Sequence, residues 1–244
     1  MPSMWDGYYH RVSTEEDAAA KRASYLARTI ETIGSKEKYS LSYKSVKING
    51  EDRHLVIVSA ESADTKTFMC PPGETIRCGS LIDYADYKWL VTELDAEAEV
   101  YQKGTIRQCN YILRWKNKKG EIIERDCIID DGTKYLTGEQ QREFMSYGDS
   151  RAQLIIAKDE ETAQLHRGHR FLIDEDGLEK PLAFVLTKPN RISMQYKGYG
   201  VYRHMLTEDQ FNPKADNAEL MIADYYTDVS TSMSDSIEHE EGWI

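Results

Sequence analysis

One segment near the N-terminus repeats its apolar residues at helical spacing. Leu26, Ile30 and Ile33 follow i, i+4, i+7 on a background of Ala18, Ala19, Ala20 and Ala23. Ser13 stands three residues before Glu16, the spacing of a capping box, and Glu15, Glu16 and Asp17 put negative charge where a helix N-terminus favours it. Gly34 is suited to end the helix. The pattern predicts a helix over 14–33 with one narrow apolar stripe. That stripe packs either on the chain's own β structure or on another subunit.

After Gly34 the period changes to two. SYKSVKI, Asn49-Gly50 and RHLVIVS read as a hairpin, because Asn-Gly supplies the positive φ angles of a type I′ turn. KTFMC is a strand that stops before Pro71-Pro72-Gly73. SLIDY and YKWLVTEL form a second hairpin. TIRQCNYILRW, NKKG and EIIERDCII form a third, whose alternation slips between Ile106 and Cys109 and so predicts a bulge. A polar stretch, DDGTKYLTGEQQREFMSYGDS, is the best candidate boundary. Beyond it AQLIIA, HRFLID, PLAFVLT, RISMQYKG and NAELMIADYY read as strands, with a helical turn in DEETAQLH.

The fold class is therefore mainly β: an antiparallel β-barrel or sandwich, in one or two units, with one N-terminal α-helix. The division runs 1–35 helical arm, 36–145 first barrel, 146–226 second β region and 227–244 acidic flexible tail. Two stretches hint at repetition. Gly79-Ser-Leu-Ile-Asp-Tyr leads through a turn to Trp89-Leu90-Val91-Thr92. Gly168-His-Arg-Phe-Leu-Ile-Asp leads through a longer turn to Phe184-Val185-Leu186-Thr187. A duplicated barrel unit would do this, and so would two unrelated hairpins.

Composition adds a bias toward surfaces. Tyr occurs 16 times and Phe 5 times in 244 residues, and tyrosine suits half-wet contacts as well as strands. The net charge of −11 argues against a protein that grips phosphates. Residues 1–50 carry eight Lys/Arg against six Asp/Glu, while residues 201–244 carry two against ten. Such asymmetry lets one end attract the other end of a neighbour, or simply solvates a tail. Trp243 and Ile244 form an apolar tip on the acidic tail, as a docking peptide would. They join Leu26, Ile30 and Ile33 as candidate subunit-interface residues.

No stretch approaches the roughly 20 apolar residues of a membrane span. The start of the chain lacks the basic-then-apolar order of a secretion signal, so folding in the cytoplasm is expected. Cys70, Cys78, Cys109 and Cys127 lack C-x-x-C spacing and are expected as buried, reduced thiols.

Candidate chemistry is thin. His166-Arg167-Gly168-His169 has two imidazoles but no third ligand nearby and reads as an exposed basic turn. Gly148-Asp149-Ser150 resembles an esterase nucleophile block, without a buried strand before it or a matching Asp and His after it. Asp130-Asp131-Gly132 lacks the spaced oxygens of a calcium loop and reads as a tight turn. No catalytic, cofactor-binding or metal-binding residue is expected. A glycan or cell-wall hydrolase stays open as an alternative, because carboxylates distant in sequence meet in β folds.

The order of features carries a resemblance: basic helix, K-x-I-N-G hairpin, G-S-L-I-D-Y-x-x-Y-K-W-L-V, C-N-Y-I-L-R-W, R-G-H-R-F-L-I-D and A-E-L-M-I-A-D-Y-Y. Over roughly residues 5–226 the chain resembles structural proteins of tailed bacteriophages of Gram-positive hosts. These are head-to-tail connector proteins of the head-closure (stopper) or adaptor type. Gly79 to Val91 is the sharpest part, and the chain is longer than the commonest stopper type.

The resemblance implies a virion neck protein assembled in the host cytoplasm, as a homo-oligomeric ring of twelve or six copies. A portal or adaptor ring would lie above it and a tail or stopper ring below. Genomic double-stranded DNA would pass through without sequence-specific binding, and no membrane or cofactor would be involved. Trp89 and Trp115 would be barrel core, and a loop within 131–150 would project toward the channel or the next ring. A tail-completion or decoration protein is the alternative of the same class.

Overall fold

The computed structural model describes residues 15–60, 62–95, 100–131, 151–192, 195–196 and 198–227. One helix, α1 (Glu15–Lys36), is followed by a 3-10 turn, Glu37–Tyr39. Gly34 does not end it. The helix runs two residues further, and Gly34 is not among the residues of positive φ. Ser13, its expected cap, lies outside the described residues.

The first six strands are β1 (Tyr43–Ile48), β2 (Glu51–Ser59), β3 (Thr65–Met69), β4 (Leu81–Tyr84), β5 (Tyr87–Leu94) and β6 (Lys103–Gln108). They close into a barrel in the order β1-β2-β3-β6-β5-β4. Strict alternation decides which side faces in. Val46, Ile48, Leu55, Ile57, Phe68, Ile82, Trp89, Val91 and Ile106 fill the interior. Asn49 (φ 50) and Gly50 (φ 89) make the expected tight turn, and Ala85 (φ 52) and Asp86 (φ 65) make a second turn of the same kind.

The remaining strands are β7 (Tyr111–Lys116), β8 (Ile122–Asp131), β9 (Arg151–Ala157), β10 (Arg170–Leu172), β11 (Ala183–Lys188), β12 (Gln195–Tyr196) and β13 (Tyr199–Asp209). They form a second antiparallel sheet in the order β10-β11-β13-β9-β8-β7, with the short β12 on the start of β13. Its core is Leu113, Trp115, Cys127, Leu154, Ile156, Phe171, Leu186, Tyr202 and Leu206.

The two sheets have one topology. With β12 set aside, β7, β8, β9, β10, β11 and β13 take, in chain order, the places of β1 to β6. The likeness reaches single hydrogen bonds. Gly79 (φ 88) donates its N–H to Val91 O at 2.8 Å, and Val91 N–H returns to Ser80 O at 3.0 Å. Gly168 (φ 89) donates to Leu186 O at 2.8 Å, and Leu186 N–H returns to His169 O at 2.8 Å. Three residues beyond each glycine, Ile82 and Phe171 are fully buried.

The ladder then slips at matching places, between Val91 and Glu93 and between Leu186 and Lys188. The threonine at each slip, Thr92 or Thr187, donates its hydroxyl to a carbonyl of the next strand, Thr105 O (3.4 Å) or Met205 O (3.3 Å). Of the two readings left open by the sequence, the shared strand order favours a repeated unit over unrelated hairpins.

The seams differ. In the first unit Ile48 pairs with Ile82 and closes the barrel. At the matching place Trp115 meets Phe171 edge to face, ring centroids 6.4 Å apart. The Tyr111 hydroxyl spans the gap instead, donating to Leu172 O (3.2 Å) and accepting from Asp174 N–H (3.4 Å). Side chains rather than a backbone ladder meet across this seam.

Three expectations are corrected. The first barrel ends at Gln108, not at 145, because the predicted long strand changes sheets midway. Cys109 N–H donates to Lys88 O in the first unit, and Asn110 N–H donates to Cys127 O in the second. The slip predicted before Cys109 marks this change. NAELMIADYY is not a strand, because Asp216 and Asn217 bind backbone N–H groups of Asn212, Asp224 and Leu220 within their own segment. Among the described residues of RISMQYKG, Gln195–Tyr196 alone form a strand. The central strand β13 was not expected, since Arg203 and His204 interrupt its apolar run, yet His204 is buried.

Candidate interaction surfaces

The units pack through a third cluster. Cys78 and Leu90 of the first unit meet Ile128, Ile155 and Val201 of the second, all buried, with Leu81, Leu94, Cys109 and Ala157 around them. The contact is close. A Cβ on Gly79 would lie 2.2 Å from Gly200 O. Arg77 stacks its guanidinium on Tyr199 at 4.0 Å, and Arg107 grips Asp130 with two bonds of 2.8 and 2.9 Å. Asp130 thus lies near the end of β8 in an ion pair, and Gly132 of the expected turn lies outside the described residues.

The matching face of the second unit is covered by the chain's own residues 210–227. Leu172 and Ala183 bury against Met221, Ala223 and Phe211. Arg170 locks this segment. Its Nε donates to Asp209 (2.7 Å), Nη1 to Asp216 (2.9 Å) and Asp224 (2.7 Å), and Nη2 to Gln210 O (2.8 Å). The Asp216 side chain is 0% exposed, so its charge depends on that guanidinium. Burial alone would raise the Asp209 carboxyl. The Arg170 bond, the Gln210 N–H and the Arg170 charge outweigh it and hold Asp209 below the usual range.

The helix is different. Leu26 and Ile33 are half-buried, Ile30 is 36% exposed and Tyr25 70% exposed, and none joins a buried cluster. The link to β1 leaves Tyr39 and Leu41 almost wholly exposed. The expected stripe is present on α1 and uncovered among the described residues. Trp243, Ile244, Gly148-Asp149-Ser150 and all of the expected 131–150 loop except Asp131 lie outside them.

Trp89 and Trp115 are core residues, each 2% exposed. The four cysteines are free, three of them buried and Cys109 half-buried. Burial pushes the Cys70 and Cys109 thiols up to about 12 and Cys78 to about 11. They are poor nucleophiles.

His166 and His169 sit on the turn that carries Gly168, and the His169 ring lies against Phe171 at a tilt of 35°, centroids 4.9 Å apart. Burial, then the His166 charge, holds the His169 imidazole down to about 4. No set of three or more metal-ligating side chains converges among the described residues. An open groove of about 830 Å³ at the barrel end mixes Glu51, Asp52 and Glu74 with Arg53, His54 and Arg77.

These features define a class: a tandem of two six-stranded antiparallel units, tightly joined, with a helical arm whose apolar face is uncovered among the described residues. Residues 17–108 match the family model of the YomX N-terminal domain. That family is phage-derived, of the SPβ-prophage type, and the likeness is consistent with a phage protein. The matched stretch takes in nearly all of α1 and stops at the last residue of β6, so it coincides with the helix and the first unit. No curated protein and no solved structure matches the chain. No helix among the described residues is long and apolar enough to cross a membrane.

Proposed function

We propose that the protein is a non-catalytic structural component of a phage particle. Its place is the head-to-tail connector, where a ring of copies closes or extends the DNA channel and presents the surface for tail attachment. The observation that carries this reading is the joint one: a phage-derived family model covers the helix and first unit, and that helix carries an apolar stripe that is uncovered among the described residues. Assembly elements expose apolar faces that only a partner buries. The charge of −11 suits a channel through which DNA must slide, since a lining rich in phosphate-binding cations would hold it back. Contacts between unlike faces of neighbouring copies close a ring.

The test is quantitative mass spectrometry of purified virions. The expected result is the protein at the copy number of one or two rings. Its absence from virions would overturn the reading. A number in the hundreds per particle would move it to a decoration protein instead.

A further inference from the structure

The repeat gives the first unit a surface that the second has already filled. On the outer face of β8 and β9, Ile128 and Ile155 stand opposite each other in register and are each 1% exposed, sealed by the first unit. Matching strand for strand, β2 and β3 carry Val56 and Met69, also opposite each other in register. Tyr43 of β1 extends that row, being the register partner of Val56. These three are half-buried, Val58 beside them is 41% exposed, and none joins a buried cluster. The chain thus uses this face once as an internal contact, and among the described residues its other copy is left outside the buried clusters.

The ends of the tandem differ in the same sense. The far face of the second unit is covered by residues 210–227. The open face of the first unit has α1 as its neighbouring segment, joined through residues 37–42, with Ser42 O accepting the Ile57 N–H at 2.8 Å. A helix precedes the unit whose face is open, whereas the chain passes directly into β7 of the unit whose face is filled. Among the described residues, α1 packs on the 3-10 turn that follows it rather than extensively on these strands.

We propose that α1 of one copy covers the outer face of β1, β2 and β3 on the next copy. Leu26, Ile30 and Ile33 would lie across Tyr43, Val56, Val58 and Met69. This rests on reading the protein as an assembling virion component, and it names the surface that receives the arm. At 22 residues the helix is about 33 Å long, enough to cross a three-stranded face. Helix and face are unlike surfaces of one chain, so the contact is heterologous and propagates from copy to copy into a ring. Exchange of a terminal element through a short exposed link needs no new fold.

Disulfide trapping in trans tests it. Full-length Ile30→Cys carrying a tag is mixed with untagged full-length Val58→Cys at high concentration under mild oxidation. Each variant alone, and the unsubstituted chain, serve as controls for the native thiols. Both sites are at least a third exposed, so the barrel core is untouched. The expected result is a tagged–untagged dimer, reduced at least fivefold when Leu26→Glu is added to the helix or Val56→Glu to the face. Leu26→Glu leaves the barrel unaltered, so its effect is not a folding defect. Ile30→Cys pairing only with itself, or no cross-link above the controls, would overturn the exchange. With the protein still found in virions, either outcome defeats the exchange alone and leaves the virion role standing.

Discussion

Arg170 is the residue on which the C-terminal end of the fold turns. One guanidinium faces three carboxylates, and Asp216 is the one that has no solvent to fall back on. Removing the cation from a buried pair leaves an uncompensated charge, which costs about 3 kcal/mol or more. Arg170→Ala should therefore lose about 3 kcal/mol at pH 7 in urea unfolding. The pH dependence has a definite sign. Asp209 is held below the usual range in the folded chain, so as pH falls the unfolded chain takes up its proton first. The stability from this pair is present above about pH 4 and lost below it. The gap between Arg170→Ala and the unsubstituted chain should narrow as pH drops through that range. Asp224, 42% exposed, is partly solvated, and Asp224→Ala should cost about 1 kcal/mol or less.

At the scale of elements, the repeated glycine turn separates local from tertiary demands. Gly79 and Gly168 have nearly the same positive φ, which an L-residue adopts at a cost of about 1 kcal/mol. A Cβ at Gly168 meets nothing within 4 Å, whereas at Gly79 it would collide with the backbone of Gly200 across the junction. Gly168→Ala should lose about 1 kcal/mol and Gly79→Ala more than twice that. Equal losses in chemical denaturation would mean that the junction yields easily. The same comparison shows where the sequence was legible. Gly-strand-turn-strand was visible twice, and both turns form. The meeting of Gly79 with Gly200 was not visible, because residues 121 apart leave no periodicity between them.

At the scale of the whole molecule, the two units should unfold together. Cys78, Leu90, Ile128, Ile155 and Val201 are buried only because both units are present. Trp89 lies inside the first unit and Trp115 inside the second, so with Trp5 and Trp243 also replaced by Phe, Trp115→Phe and Trp89→Phe chains report each by fluorescence. The two should give one coincident thermal transition. Leu90→Asp places a charge in the junction, and the transition should then split or drop by many degrees. The helix takes no part in this core, so Leu26→Glu should leave that transition almost unchanged.

Local rules determined much of this protein. Alternation of period two fixed most strands and their inward residues, Asn49-Gly50 fixed a turn, and the i, i+4, i+7 spacing fixed α1. Those signals act between residues close in the chain, where backbone geometry alone sets the pattern. Tertiary structure decided the rest. It turned Cys109–Asn110 into a change of sheets, made β13 a central strand despite His204, and folded the 210–227 segment around Arg170. It also buried one copy of a repeated face while leaving the other, among the described residues, outside the core clusters. These depend on which distant surfaces meet, and burial free energy is a property of the meeting rather than of either segment alone.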